Sequence, residues 1–293
     1  MTNLEGLTYV GFRITEGCNA GRVCKARCFS QEAELFEDPP LPTVLAVLDA
    51  LREVNVQTVN IMGGEPTTRN DLPQILIHAK AIGLQTVLST NAIFLDERRL
   101  DELEPYVDWL SLSLDADTRE ANDRHRGLGQ WDGAMRVRDW FRKDQRQPHW
   151  KVNTQVHARN KHQLGGIPDV LGHTDVWKLL QWTPRAEAAK VMDIYAVTSQ
   201  EYAEVIHRLK ARHPNQRFVE RPYPEPDPDT GIVRPDGTLE INSGPFAYQV
   251  VGHLLREKPQ DVFLRAAVLY EQFPHVNKKE YNESYPDIER GNL

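Results

Sequence analysis

The chain has 293 residues, enough for one large α/β domain or two small ones. At 40% hydrophobic and 26% charged it can bury a substantial core, and a formal net charge of −7 argues against the basic surface of a general nucleic-acid binder while allowing a local basic pocket. No apolar run approaches the roughly 20 residues that span a bilayer. The opening MTNLEGLTYVGF has neither the basic start nor the apolar stretch of a signal peptide, so a cytoplasmic location is the expectation.

In chain order, LTYVGFRI (7–14) reads as a first strand, followed by a cysteine-bearing loop and an amphipathic helix over 41–54. QTVNIM (57–62) is a second strand that runs into Gly63-Gly64-Glu65-Pro66, and a helix from Asp71 to Ile82 follows. LQTVLST (84–90) and VDWLSLSLD (107–115) are the third and fourth strands. A helix over 131–145 leads to a fifth strand, WKVNTQVHA (150–158). A helix over 161–173 then precedes a sixth strand, DVWKLLQW (175–182). This regular β-then-α order implies a parallel sheet with right-handed crossovers. Six units predict an α/β fold, a partial (β/α)6 barrel, with functional residues at the C-terminal ends of its strands.

The pattern changes near 198. A helix over 198–212 gives way to the Pro/Asp-rich stretch RPYPEPDPDTG (221–231), and GIVRPDGTLEI (231–241) reads as a hairpin turning at Pro235-Asp236-Gly237. Helices are expected over 245–256 and 260–271, then a polar tail. The expected division is a barrel core over 1–195 and a small α+β extension over 196–293 that caps the barrel. Phe246, Tyr248, Tyr270 and Phe273 are candidates to close its mouth, or simply core aromatics of the C-terminal helices.

Cysteine usage is the informative count. There are three, at positions 18, 24 and 28, and none follows. An odd, tightly clustered set does not read as a disulfide framework, and three thiolates so close together read as metal ligands. Iron–sulfur clusters are held by such thiolates. A structural zinc is the alternative, needing a fourth ligand from a distant histidine or carboxylate. Inert buried cysteines are a third reading. The histidines, His157 and His162 among them, show no ligand spacing.

The cysteines after the first strand and Gly63-Gly64-Glu65-Pro66 after the second are joined by Ser89-Thr90-Asn91 after the third strand. Ser111-Leu112-Ser113-Leu114-Asp115 at the fourth completes a series that resembles the radical S-adenosylmethionine superfamily over residues 7–185. The family's usual motif is Cys-x3-Cys-x2-Cys, whereas this chain has Cys-x5-Cys-x3-Cys, a change that an exposed loop can absorb. The resemblance implies a [4Fe–4S] cluster on Cys18, Cys24 and Cys28, with one iron free to chelate the methionine end of S-adenosylmethionine. It further implies that Gly63 and Gly64 let the backbone approach that cofactor and that Glu65 places negative charge near its ammonium group. Pro66 stiffens the turn, and Asn91 and Ser113 hydrogen-bond the carboxylate or ribose. Reductive cleavage of the sulfonium then yields a 5′-deoxyadenosyl radical that abstracts a substrate hydrogen, with flavodoxin or ferredoxin as electron donor.

Lys151-Val152-Asn153, Asn160 and Trp177-Lys178-Leu179-Leu180-Gln181 resemble the viperin-like branch, which dehydrates nucleoside triphosphates. In that branch the matching lysines bind phosphates, and the counterpart of Arg126 contacts the cofactor. Lys151, Asn153, Lys178 and Arg185 are accordingly the expected substrate-binding residues. The lack of cysteines after position 28 fits a small-molecule enzyme acting on a nucleotide, nucleoside or sugar-like metabolite, with neither nucleic-acid nor membrane partner. The competing reading is a zinc-stabilised or degenerate barrel that binds a nucleotide without turnover. No side chain stands out as a catalytic acid or base.

Overall fold

The structure, a computed structural model, describes residues 7–21, 24, 37–143, 145–184, 186–222, 231–244 and 247–271. Cys28, Arg185, Phe246 and Phe273 lie outside the described residues, as does the side chain of Tyr270. The parallel strands β1 (Tyr9–Thr15), β2 (Thr58–Gly63), β3 (Gln85–Thr90), β4 (Trp109–Ser113), β5 (His149–Val156) and β6 (Val176–Gln181) pair in sequence order. They correspond to the six expected strands.

The alternation continues past residue 195. Helix α8 (Ser199–Arg212) crosses over to a seventh parallel strand, β7 (Phe218–Arg221), beside β6. The architecture is an open, partial (β/α) barrel. At its other edge β8 (Gly231–Val233) runs parallel to β1, and β9 (Thr238–Gly244) and β10 (Ala247–His253) extend the sheet as antiparallel strands. The β8–β9 hairpin turns at Pro235-Asp236-Gly237 as expected, with Gly237 at φ +94°, where a side chain would be strained.

Residues 247–253, expected to be helical, instead form β10. The stretch Ala-Tyr-Gln-Val-Val-Gly-His is rich in residues that fit a pleated surface, and pairing with β9 supplies its backbone partners. Tyr248 is therefore a half-buried residue on the edge strand of the sheet. Helix α9 (Pro259–Glu271) packs against α1 (Leu41–Glu53), burying Val262 and Phe263. Among the described residues, the extension continues the sheet beyond β1.

Strand alternation sorts the barrel's side chains into two faces. Phe12, Ile61, Leu88, Leu110, Val152 and Leu179 face outward into one large apolar core with the helices. On α1, Val44, Val47, Leu48 and Leu51 recur at helical spacing and are buried in that core. The inward face is layered. Tyr9, Val87, Trp109, Val176 and Val219 form an apolar plug at the bottom. Above it lies a polar layer, in which Ser89 Oγ donates to Asn60 Oδ1 (2.8 Å) and Asn153 Nδ2 donates to Ser111 Oγ (2.8 Å). No helix among the described residues is long and apolar enough to cross a membrane.

Candidate active site

At the C-terminal ends of β1 to β4 lies a solvent-open cleft with a cavity volume of about 160 Å³. Its walls bring together Cys18, Cys24, Gly63, Gly64, Glu65, Asn91, Ser113 and Arg126, eight of the residues singled out in the sequence. Those up to Ser113 follow separate strand ends, which the parallel topology brings to one side, and Arg126 comes from the helix after β4.

The cysteine loop begins with a tight turn in which Gly21 N–H donates to Cys18 O (3.2 Å) and Cys24 N–H donates to Ala20 O (2.9 Å). Cys24 is buried with Ala20 against Cys18 and Ile93. Asn91, just past β3, ties this loop to the sheet: its Nδ2 donates to Asn19 Oδ1 (2.7 Å) and lies 4.0 Å from Cys18 Sγ. Asn19 Nδ2 is buried and has no partner among the described residues.

The glycine pair serves a closer contact than the one first expected of it. Gly64 N–H donates to Thr15 O (2.9 Å) and Glu65 N–H donates to Gly17 O (2.7 Å), so the turn lies directly against the start of the cysteine loop. A Cβ on Gly64 would sit 2.0 Å from Gly17 O, and one on Gly63 would sit 2.3 Å from Thr15 O. The missing side chains let two backbones touch, and the same turn still lines the cleft.

Glu65, expected to place negative charge near the cofactor's ammonium group, lines the cleft while its carboxyl is bonded within the protein. Its side chain is 1% exposed, and its Oε1 accepts from Thr67 N–H (3.2 Å), Thr67 Oγ1 (2.6 Å) and Thr90 Oγ1 (2.6 Å). Oε2 accepts from Asn91 N–H (2.7 Å). Burial pushes its carboxyl pKa up, against these hydrogen bonds, which pull it down. The carboxyl thus ties the ends of β2 and β3 together and leaves little capacity for a metal ion. Pro66 is buried at the start of the short 3₁₀ turn Pro66–Thr68 and does not line the cleft.

Ser113, the last residue of β4, lies between the cleft and β5, with which it pairs at Asn153. Arg126 closes helix α4 (Arg119–Arg126) and donates from Nε and Nη2 to the fully buried Asp115 carboxylate (2.5 and 3.1 Å). Asp115, in sequence just the end of a strand motif, fixes the guanidinium that reaches the cleft. Its partner is eleven residues away on a very polar helix that periodicity did not single out.

Lys151, Asn153 and Lys178 lie on the inward face beside the cleft, outside its immediate wall. In register, Lys151 pairs with Ser111, Asn153 with Ser113, and Lys178 with Asn153. Lys151 is 2% exposed. Asn153 Oδ1 is buried without a partner among the described residues. Arg13, in register with the cleft residue Met62, and Arg221, in register with Leu180, share this face. The single carboxylate in the seven parallel strands, Glu220, faces the other way, in register with Leu179. The inward face therefore carries four basic side chains and no acid; Arg13 pairs with Glu16, just beyond its strand.

His157, which has no ligand spacing in the sequence, is fully buried just after β5, its ring 4.8 Å from His125 and 5.0 Å from Tyr195. Its Nδ1 accepts from Arg159 N–H (3.2 Å), so Nε2 carries the proton, and that atom has no partner among the described residues. Burial pushes its pKa down to about 3, with His125 and Arg126 adding to the shift and Asp115 opposing it. A histidine held neutral in the fold but titrating near 6.5 when unfolded makes the native state lose stability as pH falls from about 6.5 towards 3. Relative to His157→Gln, the wild type should lose about 1.6 kcal/mol more between pH 6.5 and 5, the slope approaching ~1.4 kcal/mol per pH unit at the acid end. Urea unfolding of both proteins at the two pH values measures this, and parallel pH profiles would refute it.

Among the described residues no three of His, Cys, Asp and Glu gather as a metal site, and Cys28 lies outside them. The sequence model of the Radical SAM superfamily matches residues 12–153, the segment that builds the cleft and most of the inward face. Fe-coproporphyrin III synthase of Methanosarcina barkeri is 33% identical over 43% of this chain and 32% of that protein. An S-adenosylmethionine-dependent nucleotide dehydratase of Flammeovirga pacifica is 21% identical over 90% of this chain and 92% of that protein. The crystal structure of Streptococcus suis SuiB bound to S-adenosylmethionine matches in fold, with a TM-score of 0.67 at 16% identity over 93% of this chain and 69% of that one. The chain spans 32% to 51% of the length of the first curated relatives it matches. The superfamily uses a [4Fe–4S] cluster and S-adenosylmethionine. By that match the segment at residues 12–153, just under half of this chain, is a radical SAM superfamily domain.

Proposed function

We propose that the chain is a radical S-adenosylmethionine enzyme acting on a small polar metabolite, with nucleotide-like anions the favoured substrates. The observation that carries this reading is that Cys18 and Cys24 share one cleft with the glycine turn, Asn91, Ser113 and Arg126. The residues fit the cofactor pair. Two soft sulfur donors line the cleft, while the carboxylate in its wall, Glu65, is already filled by protein donors. The buried Asn19 Nδ2 beside Cys18 is a donor awaiting an acceptor. A zinc site would need one more hard or imidazole ligand, and Glu65 is not free to be it.

In this reading Cys18, Cys24 and Cys28 hold the cluster. When bound, the reduced cluster and S-adenosylmethionine supply a 5′-deoxyadenosyl radical for hydrogen abstraction. The protein's own part is positioning. Asn91 and Ser113 offer hydrogen bonds to the cofactor's polar groups, and Arg126, braced by Asp115, presents a fixed guanidinium. Lys151, Lys178 and Arg185 attract an anionic substrate, and Asn153 Oδ1 accepts from one of its hydroxyls. The basic side chains that the inward face brings together support the anionic choice, as does the likeness to a nucleotide dehydratase over most of both chains. The electron comes from a donor protein such as flavodoxin or ferredoxin.

Anaerobically reconstituted protein with dithionite should release 5′-deoxyadenosine slowly alone and faster with a nucleoside triphosphate than with the matching nucleoside or a neutral sugar. Deuterium placed on the substrate should appear in the released 5′-deoxyadenosine. Protein that binds one zinc with no acid-labile sulfide would sink the reading.

A further inference from the structure

We propose that Arg69 is a positioning residue that latches the stem of the cysteine loop, and so sets Cys18 and Cys24 against the Gly63-Gly64 turn. The inference rests on reading those cysteines as cluster ligands. The loop leaves the sheet at the end of β1 and returns at Asp38 to Pro40, where α1 begins. A loop of this length costs little more to close than a shorter one, so the placing of its contents depends on how firmly its two ends are held.

Arg69 holds both ends. Its Nη1 donates to Ile14 O (3.0 Å) on the outgoing strand and to Pro39 O (3.1 Å) on the returning chain. Its Nη2 donates to Pro39 O (3.2 Å) and to Asp71 Oδ2 (2.7 Å), and Nε donates to Asp71 Oδ1 (2.8 Å). All five guanidinium donors are thereby used, in a buried side chain whose charge Asp71 meets with both oxygens. A lysine has three donors on one point and cannot reproduce this planar fork. The arginine's own backbone is fixed as well: its N–H donates to Pro66 O (3.1 Å), and its carbonyl accepts from Arg99 Nη2 (2.9 Å).

Residues 65–69 thus work as one clasp. Glu65 grips the end of β3, and Arg69 grips β1 and the loop's return. A second rung lies nearer the cysteines: Thr15 Oγ1 donates to Asp38 Oδ2 (2.8 Å) and accepts from Gly17 N–H (2.9 Å). Asp38 is exposed, so removing it tests the stem without opening the core.

The test compares wild type, Arg69→Lys and Asp38→Ala by amide hydrogen exchange of the cluster-free proteins and by iron loss to a chelator after anaerobic reconstitution. Arg69→Lys should speed exchange at 15–21 and at 37 and 38 while β3 to β5 stay as protected as in wild type. It should also lose iron roughly tenfold faster, the scale of removing a partner that orients metal ligands. Asp38→Ala should shift both readouts in the same direction by less. Unchanged exchange at the stem, or exchange raised equally across the sheet, overturns the latch. So does iron loss at the wild-type rate. If Arg69→Lys does not fold, Asp38→Ala carries the test with the same two readouts. A wild type that holds no iron with sulfide would instead remove the cluster reading, and the exchange data would still decide on the latch.

Discussion

Cys24→Ala should fold like the wild type and yet lose the visible absorbance of a reconstituted iron–sulfur centre, together with all cofactor cleavage above background. Cys24 packs in a small satellite group with Ala20, Cys18 and Ile93, apart from the large core between the sheet and its helices. Deleting one buried sulfur there should cost about 1 kcal/mol, on the scale of one buried methylene with little room to collapse. The loss of function should be far larger. A cluster is held by its thiolates, and removing one ligand outright exceeds the 10- to 100-fold that a second-shell partner costs, so release of 5′-deoxyadenosine should fall by more than about a hundredfold. Iron and acid-labile sulfide, visible absorbance and product release, each measured against a thermal melt of the cluster-free protein, separate the two effects. A variant that keeps cluster and cleavage would show that Cys24 is not a ligand.

Much of the frame was readable because it depends on local pattern. Strands β1 to β6 and helices α1, α8 and α9 are bounded within a few residues of where hydrophobic periodicity puts them. The strand-end motifs then meet in one cleft because a parallel sheet brings all its C-terminal ends to one side. What escaped was either too short or too polar to show a period. β7 has four residues, Phe-Val-Glu-Arg, and α4 reads Arg-Glu-Ala-Asn-Asp-Arg-His-Arg. Residues 247–253 read as helical in the sequence because helix and strand compete closely in short mixed runs. Pairing with β9 settles the competition, and no local signal carries it.

The roles of individual site residues divide the same way. That Gly63 and Gly64 need small side chains was legible, but the partner was not: the backbone they meet belongs to Thr15 and Gly17, far back in the chain. Glu65 reads as a free acid in the sequence because its partners, Thr90 and Asn91, arrive with the next strand. Arg69 carries no motif at all, since its meaning lies in carbonyls of Ile14 and Pro39. Residue types announce capacity, and long-range partners decide its use.

Lys151→Met and Lys178→Ala should each separate substrate binding from cofactor chemistry. Both lysines sit on strands flanking the cleft, on a face that also carries Arg13 and Arg221 and has no acid within the seven strands. Lys151 is held at 2% exposure beside the polar layer of that face, and a lysine so placed suits a charge-assisted contact to an anionic substrate. Truncating one partner of a desolvated charge pair costs 2–5 kcal/mol, so each variant should bind a nucleoside triphosphate about 30-fold to several thousand-fold more weakly. Methionine keeps most of the lysine's length, and slow uncoupled release of 5′-deoxyadenosine should persist near the wild-type rate in both, because neither side chain lines the cofactor cleft. The two losses should not sum, because the lysines stand on neighbouring strands and share one ligand. Titration calorimetry with a triphosphate and its parent nucleoside, at low and high salt, reads out the charge directly. If wild type binds the two equally, or if the variants lose cofactor cleavage along with binding, the inward face is not an anion site and the substrate must be sought among neutral metabolites.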